Sequence, residues 1–212
     1  MKYANAASCF GFMGVILFIA TTIIAAMLVP GYSHVSQLIS ESYAIDTTYG
    51  MQLRFFGFLP AGICMAVFAF LAMRVLPKHI LSRAGFYGIG IFYGLGTVAV
   101  SFFPCDAGCN KEFIDPSFSQ FIHNLTGTLT YLVVPVSLIF VAIAARKWTN
   151  AKPVVYSGFI SGIVAMVFIG ILSAGMDAEY AGLYQRIIEG SILAFIVTCS
   201  MYLLRLRNKV PQ

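Results

Sequence analysis

Charged side chains are scarce in this chain. They make up 10% of its 212 residues, while 59% are hydrophobic, against roughly 25% and 45–50% in an ordinary soluble domain. A free-standing water-soluble fold is excluded, because too little polar surface is available to wrap its core. Histidine occurs only three times, and no HExxH or other paired-ligand spacing is present, so the familiar sequence patterns of a metalloenzyme are missing. There is no nucleophile-elbow pattern. No strand precedes any of the glycine-rich stretches, which lie inside apolar runs and do not read as phosphate loops. The net charge of +5 has no continuous basic patch with interleaved aromatics behind it, so nucleic acid is not an expected partner.

Long apolar runs are what the chain does have. Six of them, near 7–29, 51–73, 84–104, 119–145, 154–176 and 183–204, approach or exceed the roughly 20 residues needed to cross a bilayer as helix. The expected fold is all-α, a single six-helix transmembrane domain over residues 1–212. The first run is longer than the 7–15 residues typical of a signal-peptide core and reads as a retained helix.

The charges orient these helices. Alternating the loops between two sides puts Lys2, Arg74, Lys78, Arg83, Arg146, Lys147, Lys152, Arg205, Arg207 and Lys209 on one side, ten of the thirteen basic residues. All eight acids, Glu41, Asp46, Asp106, Glu112, Asp115, Asp177, Glu179 and Glu189, fall on the other half. The positive-inside rule makes the basic side cytoplasmic, with both termini there, and the expected location is the inner membrane. The basic loops should meet anionic lipid heads, and Trp148 fits an interfacial aromatic belt.

The basic-side connections, "RVLPKHILSR" and "RKWTNAKP", are short, whereas 30–50 and 105–118 are longer and more polar. Pro30 and Gly31 end the first helix. The following "YSHVSQLISES" predicts a short amphipathic helix on the outer surface, with His34, Gln37 and Glu41 on one face. Glycines 85, 88, 90, 94 and 96 in helix three, and Gly158 and Gly162 in helix five, allow close helix packing and offer faces for a homo-oligomer. Helices two and six open alike, with a glycine four residues before an arginine: Gly50 with Arg54, and Gly182 with Arg186.

An ionisable group inside a span costs roughly 2.5–3.5 kcal/mol at the helix centre, so it tends to be paired or functional. Glu189 is such a group, and its neighbour one turn earlier is Arg186. A local ion pair and a place in a polar pocket are both open to it. Ser119, His123, Thr126 and Thr130 form one stripe on helix four and should face the bundle interior. With His34, Arg54, Asp106, Arg186 and Glu189 at similar depth, they suggest one outer-face pocket, with His123, Asp106 and Glu189 as catalytic candidates.

Three chemistries suit that pocket. Binding of a lipid or small amphiphile needs only the charge and donors of Arg54 and Arg186. A metal-dependent hydrolase of lipid amide or ester bonds would take zinc on His34, Asp106 and His123; otherwise no cofactor is expected. A serine nucleophile would come from Ser33, Ser36 or Ser40. A small transporter is a further alternative. Cys9, Cys64 and Cys199 read as packing residues, while Cys105 and Cys109 sit in the outer loop, where an oxidising compartment permits a disulfide; a redox-active pair is the alternative.

"GYSHVSQLISE", "FFPCDAGC", "FIHNLTG" and "GLYQRIIEG", in that order, resemble the bacterial and archaeal six-helix membrane family catalogued as domain of unknown function 998. The resemblance covers nearly the whole chain and implies the six-helix fold, with family positions on Ser33, Ser36, Glu41, Pro104, Asp106, His123, Arg186 and Glu189. It brings no activity with it. A fainter similarity runs to the alkaline ceramidase and progestin-receptor-like membrane hydrolases, which hold zinc with several histidines. Their later His-x-x-x-His is missing here, since no histidine follows His123.

Overall fold

A computed structural model describes residues 2–175 and 179–207. Asp177 and Lys209 of the charge pattern lie outside the described residues. Six helices are long and apolar enough to cross a membrane: α1 (Lys2–Leu28), α2 (Gly50–Val75), α3 (Ile80–Phe102), α4 (Phe118–Ala145), α5 (Lys152–Ala174) and α6 (Ala181–Arg207). No strand occurs among the described residues. In hydrocarbon each backbone N–H and C=O must find its partner within the chain, and uninterrupted helix meets that requirement residue by residue.

Each helix packs on the next, and α6 returns to α1, so the six form a closed ring. Glycines set the closest crossings. A Cβ on Gly94 of α3 would lie 2.5 Å from the Ala66 nitrogen of α2, and one on Gly158 of α5 would lie 2.9 Å from the Leu138 carbonyl oxygen of α4. These glycine faces are consumed inside one chain. An oligomer would have to use another surface.

Two helices carry a wide π-type turn, Arg54–Phe58 in α2 and Ile89–Leu95 in α3. Such turns shift the register of the side chains around them. They bring Arg54 under the polar end and Tyr93 into the bundle.

The 30–49 and 103–117 connections cover one end of the ring, and 76–79 and 146–151 close the other. Trp148, expected at an interface, is buried at that second end and stacks on Tyr202. The short helix expected after α1 is a single 3-10 turn, Ile39–Tyr43. It differs from a surface helix in position as well as length: Ile39, Ser40, Ser42 and Tyr43 are buried. Residues 34–36 are turn, closed by local bonds such as the Gln37 N–H to the Ser33 carbonyl (2.9 Å) and tied to α6 by others. The Leu183 N–H donates to the Val35 carbonyl (2.8 Å), and the Ile39 N–H donates to Gln185 Oε1 (2.6 Å). Gly182 lets the two backbones touch; a Cβ there would lie 2.2 Å from the Gln37 carbonyl oxygen.

Candidate functional site: a polar chamber and an adjoining groove

Beneath the 3-10 turn is a chamber of about 100 Å³, walled by α1, α2, α3, α4 and α6. Glu189 of α6 reaches into it and is only 8% exposed. Its carboxylate accepts from the Tyr93 hydroxyl at Oε2 (2.8 Å) and from the Tyr131 hydroxyl at Oε1 (3.0 Å). Each oxygen is therefore held by a phenol, an arrangement that suits an acceptor-only carboxylate. The stripe on α4 faces the chamber as its spacing predicts: His123, Thr126 and Thr130 line it. Thr130 Oγ1 donates to the Phe92 carbonyl (2.6 Å), inside the π-type turn of α3. His123 Nδ1 donates to the Phe103 carbonyl (3.0 Å), which in the neutral ring leaves Nε2 as an acceptor. Ser119, at the head of the stripe, is turned away and donates to the Pro104 carbonyl (2.6 Å).

A larger groove of about 650 Å³ runs between α1 and α6. Its walls are apolar, with Val15, Ile19 and Ile23 on α1 and Leu193, Ala194 and Val197 on α6; its polar end holds His34 and Arg186. Phe18, Ile39 and Glu189 line both spaces, so they form the partition between them.

Arg186 and Glu189 make no ion pair with each other. Among the described residues the one salt bridge joins Lys111 to Glu41 (3.2 Å). Arg186 turns towards the 32–37 segment, donating to His34 Nδ1 (3.0 Å), the Gln37 carbonyl (2.9 Å) and the Tyr32 hydroxyl (2.6 Å). Burial, and next the Arg186 charge, hold the His34 imidazole below its ordinary range. Burial outweighs Arg186 at Tyr32 and raises its phenol. Arg54 Nη1 donates to the Tyr43 carbonyl (2.8 Å), and its Nε is buried without a partner. The paired Gly-x-x-x-Arg openings thus do one job from two sides: the glycine seats the connection and the arginine clasps one of its carbonyls.

Asp106 lines neither space. It is near the surface, where its carboxylate accepts from the hydroxyl and the N–H of Ser117. Those two bonds, the hydroxyl first, hold the acid below the usual carboxylate range. Its own N–H donates to Gln120 Oε1 (2.7 Å), and Gln120 Nε2 donates to the Cys109 carbonyl (3.3 Å). Cys105 and Cys109 form the disulfide, 4.8 Å apart at Cα, around Gly108 at φ +60°. Glu41 caps the 3-10 turn through the Leu38 N–H (2.8 Å), and Ser33 Oγ accepts from Val35 and Ser36.

The candidate metal ligands are therefore dispersed: His34 at the groove, His123 in the chamber and Asp106 in the loop. No group of three or more His, Cys, Asp or Glu that could hold a metal occurs among the described residues. Sequence reasoning missed Tyr93, Tyr131, Gln120 and Gln185. Gln185 and Gln120 stand within a turn of polar residues already singled out, a signal that could have found them.

Six bilayer-length helices, a buried carboxylate and a disulfide-closed polar end define a multi-pass helical membrane protein with a small internal chamber. More narrowly, the chain matches the family described as "Protein of unknown function (DUF998)" over residues 12–202, and it belongs to that family. It is also 29% identical over 120 residues to the tryptophan permease of Saccharomyces cerevisiae (strain ATCC 204508 / S288c), covering 55% of this chain and 20% of the permease. The chain thus spans about a fifth of that relative's length. No solved structure matches it.

Proposed function

We propose that the protein binds a lipid or similar amphiphile in the groove between α1 and α6, with an apolar tail along the helices and an anionic group at Arg186 and His34. The observation that carries this reading is the groove itself: its long walls are aliphatic, and its one cationic side chain stands at the polar end. Ile19 and Ile23 on its rim are about half exposed, so a chain could enter sideways from the bilayer. No carboxylate is among the partners of Arg186 there, which are an imidazole, a phenol and two carbonyls. A guanidinium suits a phosphate or carboxylate.

The test fills the groove. Gly190 lines it, and a Cβ there would meet nothing within 4 Å, so Gly190→Phe should fold while obstructing a tail. Native mass spectrometry of detergent-purified protein should show retained lipid on the wild type and several-fold less on Gly190→Phe and Arg186→Gln. Equal lipid on all three would sink the reading. A second reading, passage of a small amphiphile across the bilayer, rests on the likeness to part of a tryptophan permease. Uptake of labelled tryptophan into proteoliposomes, above empty vesicles, would favour it.

A further inference from the structure

The chamber behind the groove has a different chemistry from the groove. Five aromatic rings line it, those of Phe18, Tyr43, Phe58, Tyr93 and Tyr131, together with the Glu189 carboxylate. Four of the rings are in contact: Phe18 meets Phe58 at 5.4 Å between centroids and Tyr93 at 6.3 Å, and Tyr43 meets Phe58 at 4.7 Å. No lysine or arginine lines the space. The one nitrogen base there, His123, spends Nδ1 on a backbone carbonyl. Glu189 so placed has two phenol donors but no counter-charge among the residues that line the chamber, and the other rings complete an aromatic wall.

That combination fits an organic cation. Aromatic faces attract an ammonium most strongly where water is excluded, and a carboxylate adds a full opposite charge. The volume fits as well, since a water needs roughly 10–15 Å³ of such space and the chamber offers about 100 Å³. Phe18, Ile39 and Glu189 line both the chamber and the groove that holds Arg186.

We infer that the chamber is an ammonium-binding site, so that the ligand of the groove is a zwitterionic amphiphile. Its anionic group meets Arg186 and its ammonium passes Glu189 into the aromatic chamber; a phosphatidylethanolamine has both groups at the required ends. This inference rests on the groove reading and adds the headgroup to it.

The experiment titrates the detergent-purified protein with phosphatidylethanolamine and with phosphatidylglycerol of the same acyl chains, read by native mass spectrometry. The wild type should prefer phosphatidylethanolamine by about ten-fold, and Glu189→Gln should bind both lipids at the phosphatidylglycerol level. Gly127→Leu is the second variant, because Gly127 lines the chamber and its Cβ position is clear of neighbours within 4 Å. It should lose the preference with Glu189 still in place. Free ethanolamine separates the sources: raising the unfolding temperature of the wild type but not of Glu189→Gln would support the same ammonium site for a soluble amine. Equal wild-type affinity for the two lipids, or an undiminished preference in both variants, overturns the chamber assignment while the groove stands. Binding of neither lipid by the wild type overturns the groove reading and this inference with it.

Discussion

His34 shows how one residue's chemistry follows from its contact. It accepts a hydrogen bond from Arg186 Nε, which an imidazolium cannot do. Its folded pKa lies below the ordinary value of about 6.5, so on acidification the unfolded chain takes the proton first. The stability it contributes is complete above about pH 6.5 and is lost as pH falls towards the lower folded value. Thermal unfolding of the wild type should therefore drop more steeply below that pH than unfolding of His34→Gln; parallel curves would contradict the contact. At this scale the sequence was informative about polar residues inside apolar runs. Glu189 and the His123, Thr126 and Thr130 stripe stood out because ionisable or hydrogen-bonding groups are costly there. Their partners did not stand out. Tyr93 and Tyr131 are two of 11 tyrosines among 19 phenylalanines, and nothing in the spacing distinguishes a phenol that meets a carboxylate from one that faces lipid. The Arg186 and Glu189 spacing suggested a pair, yet Arg186 finds carbonyls and an imidazole above while Glu189 finds two phenols within.

At the scale of elements, hydropathy located all six helices, because a bilayer-length apolar run has few other stable conformations. Irregularities within them were not legible. The π-type turns at Arg54–Phe58 and Ile89–Leu95 contain no proline, and Arg54 and the glycines within them did not mark a change of helical pitch, yet the turns decide where Arg54 and Tyr93 point. The segment after α1 had the pattern of a surface helix, but side-chain caps from Ser33, Gln37 and Glu41 and bonds to α6 hold it as turns instead. Glycine spacing did predict close crossings, and the crossings differ in what they tolerate. Gly94 faces the Ala66 backbone of α2, which cannot swing aside, whereas Gly170 has open space. Gly94→Ala should destabilise the protein by about 1–3 kcal/mol, the usual cost of overpacking, while Gly170→Ala should leave stability unchanged or higher. Unfolding in one detergent measures both; equal effects would mean that the α2 and α3 crossing is looser than described.

For the whole molecule, the ring of helices explains why polar groups from distant parts of the chain converge. Consecutive helices are neighbours, and α6 closes on α1, so residues 15–23 and 190–198 face each other across one groove. Sequence gave the shared depth of these groups but not their partition into chamber, groove and loop. That partition depends on which way each side chain turns. Asp106 is the clearest case: it has the right depth and a family position, yet Ser117 and Gln120 engage it in the disulfide loop. The proposed function stands on an amphiphile's tail lying between α1 and α6. A phospholipid with a photoactivatable diazirine in one acyl chain, reconstituted with the protein and irradiated, tests it directly. Peptide mapping should find adducts concentrated at residues 15–23 and 190–198 and depleted in Gly190→Phe. Adducts spread evenly over exposed apolar positions of α4 and α5, such as Leu132, Ile160 and Val167, with no excess in the groove, would contradict it.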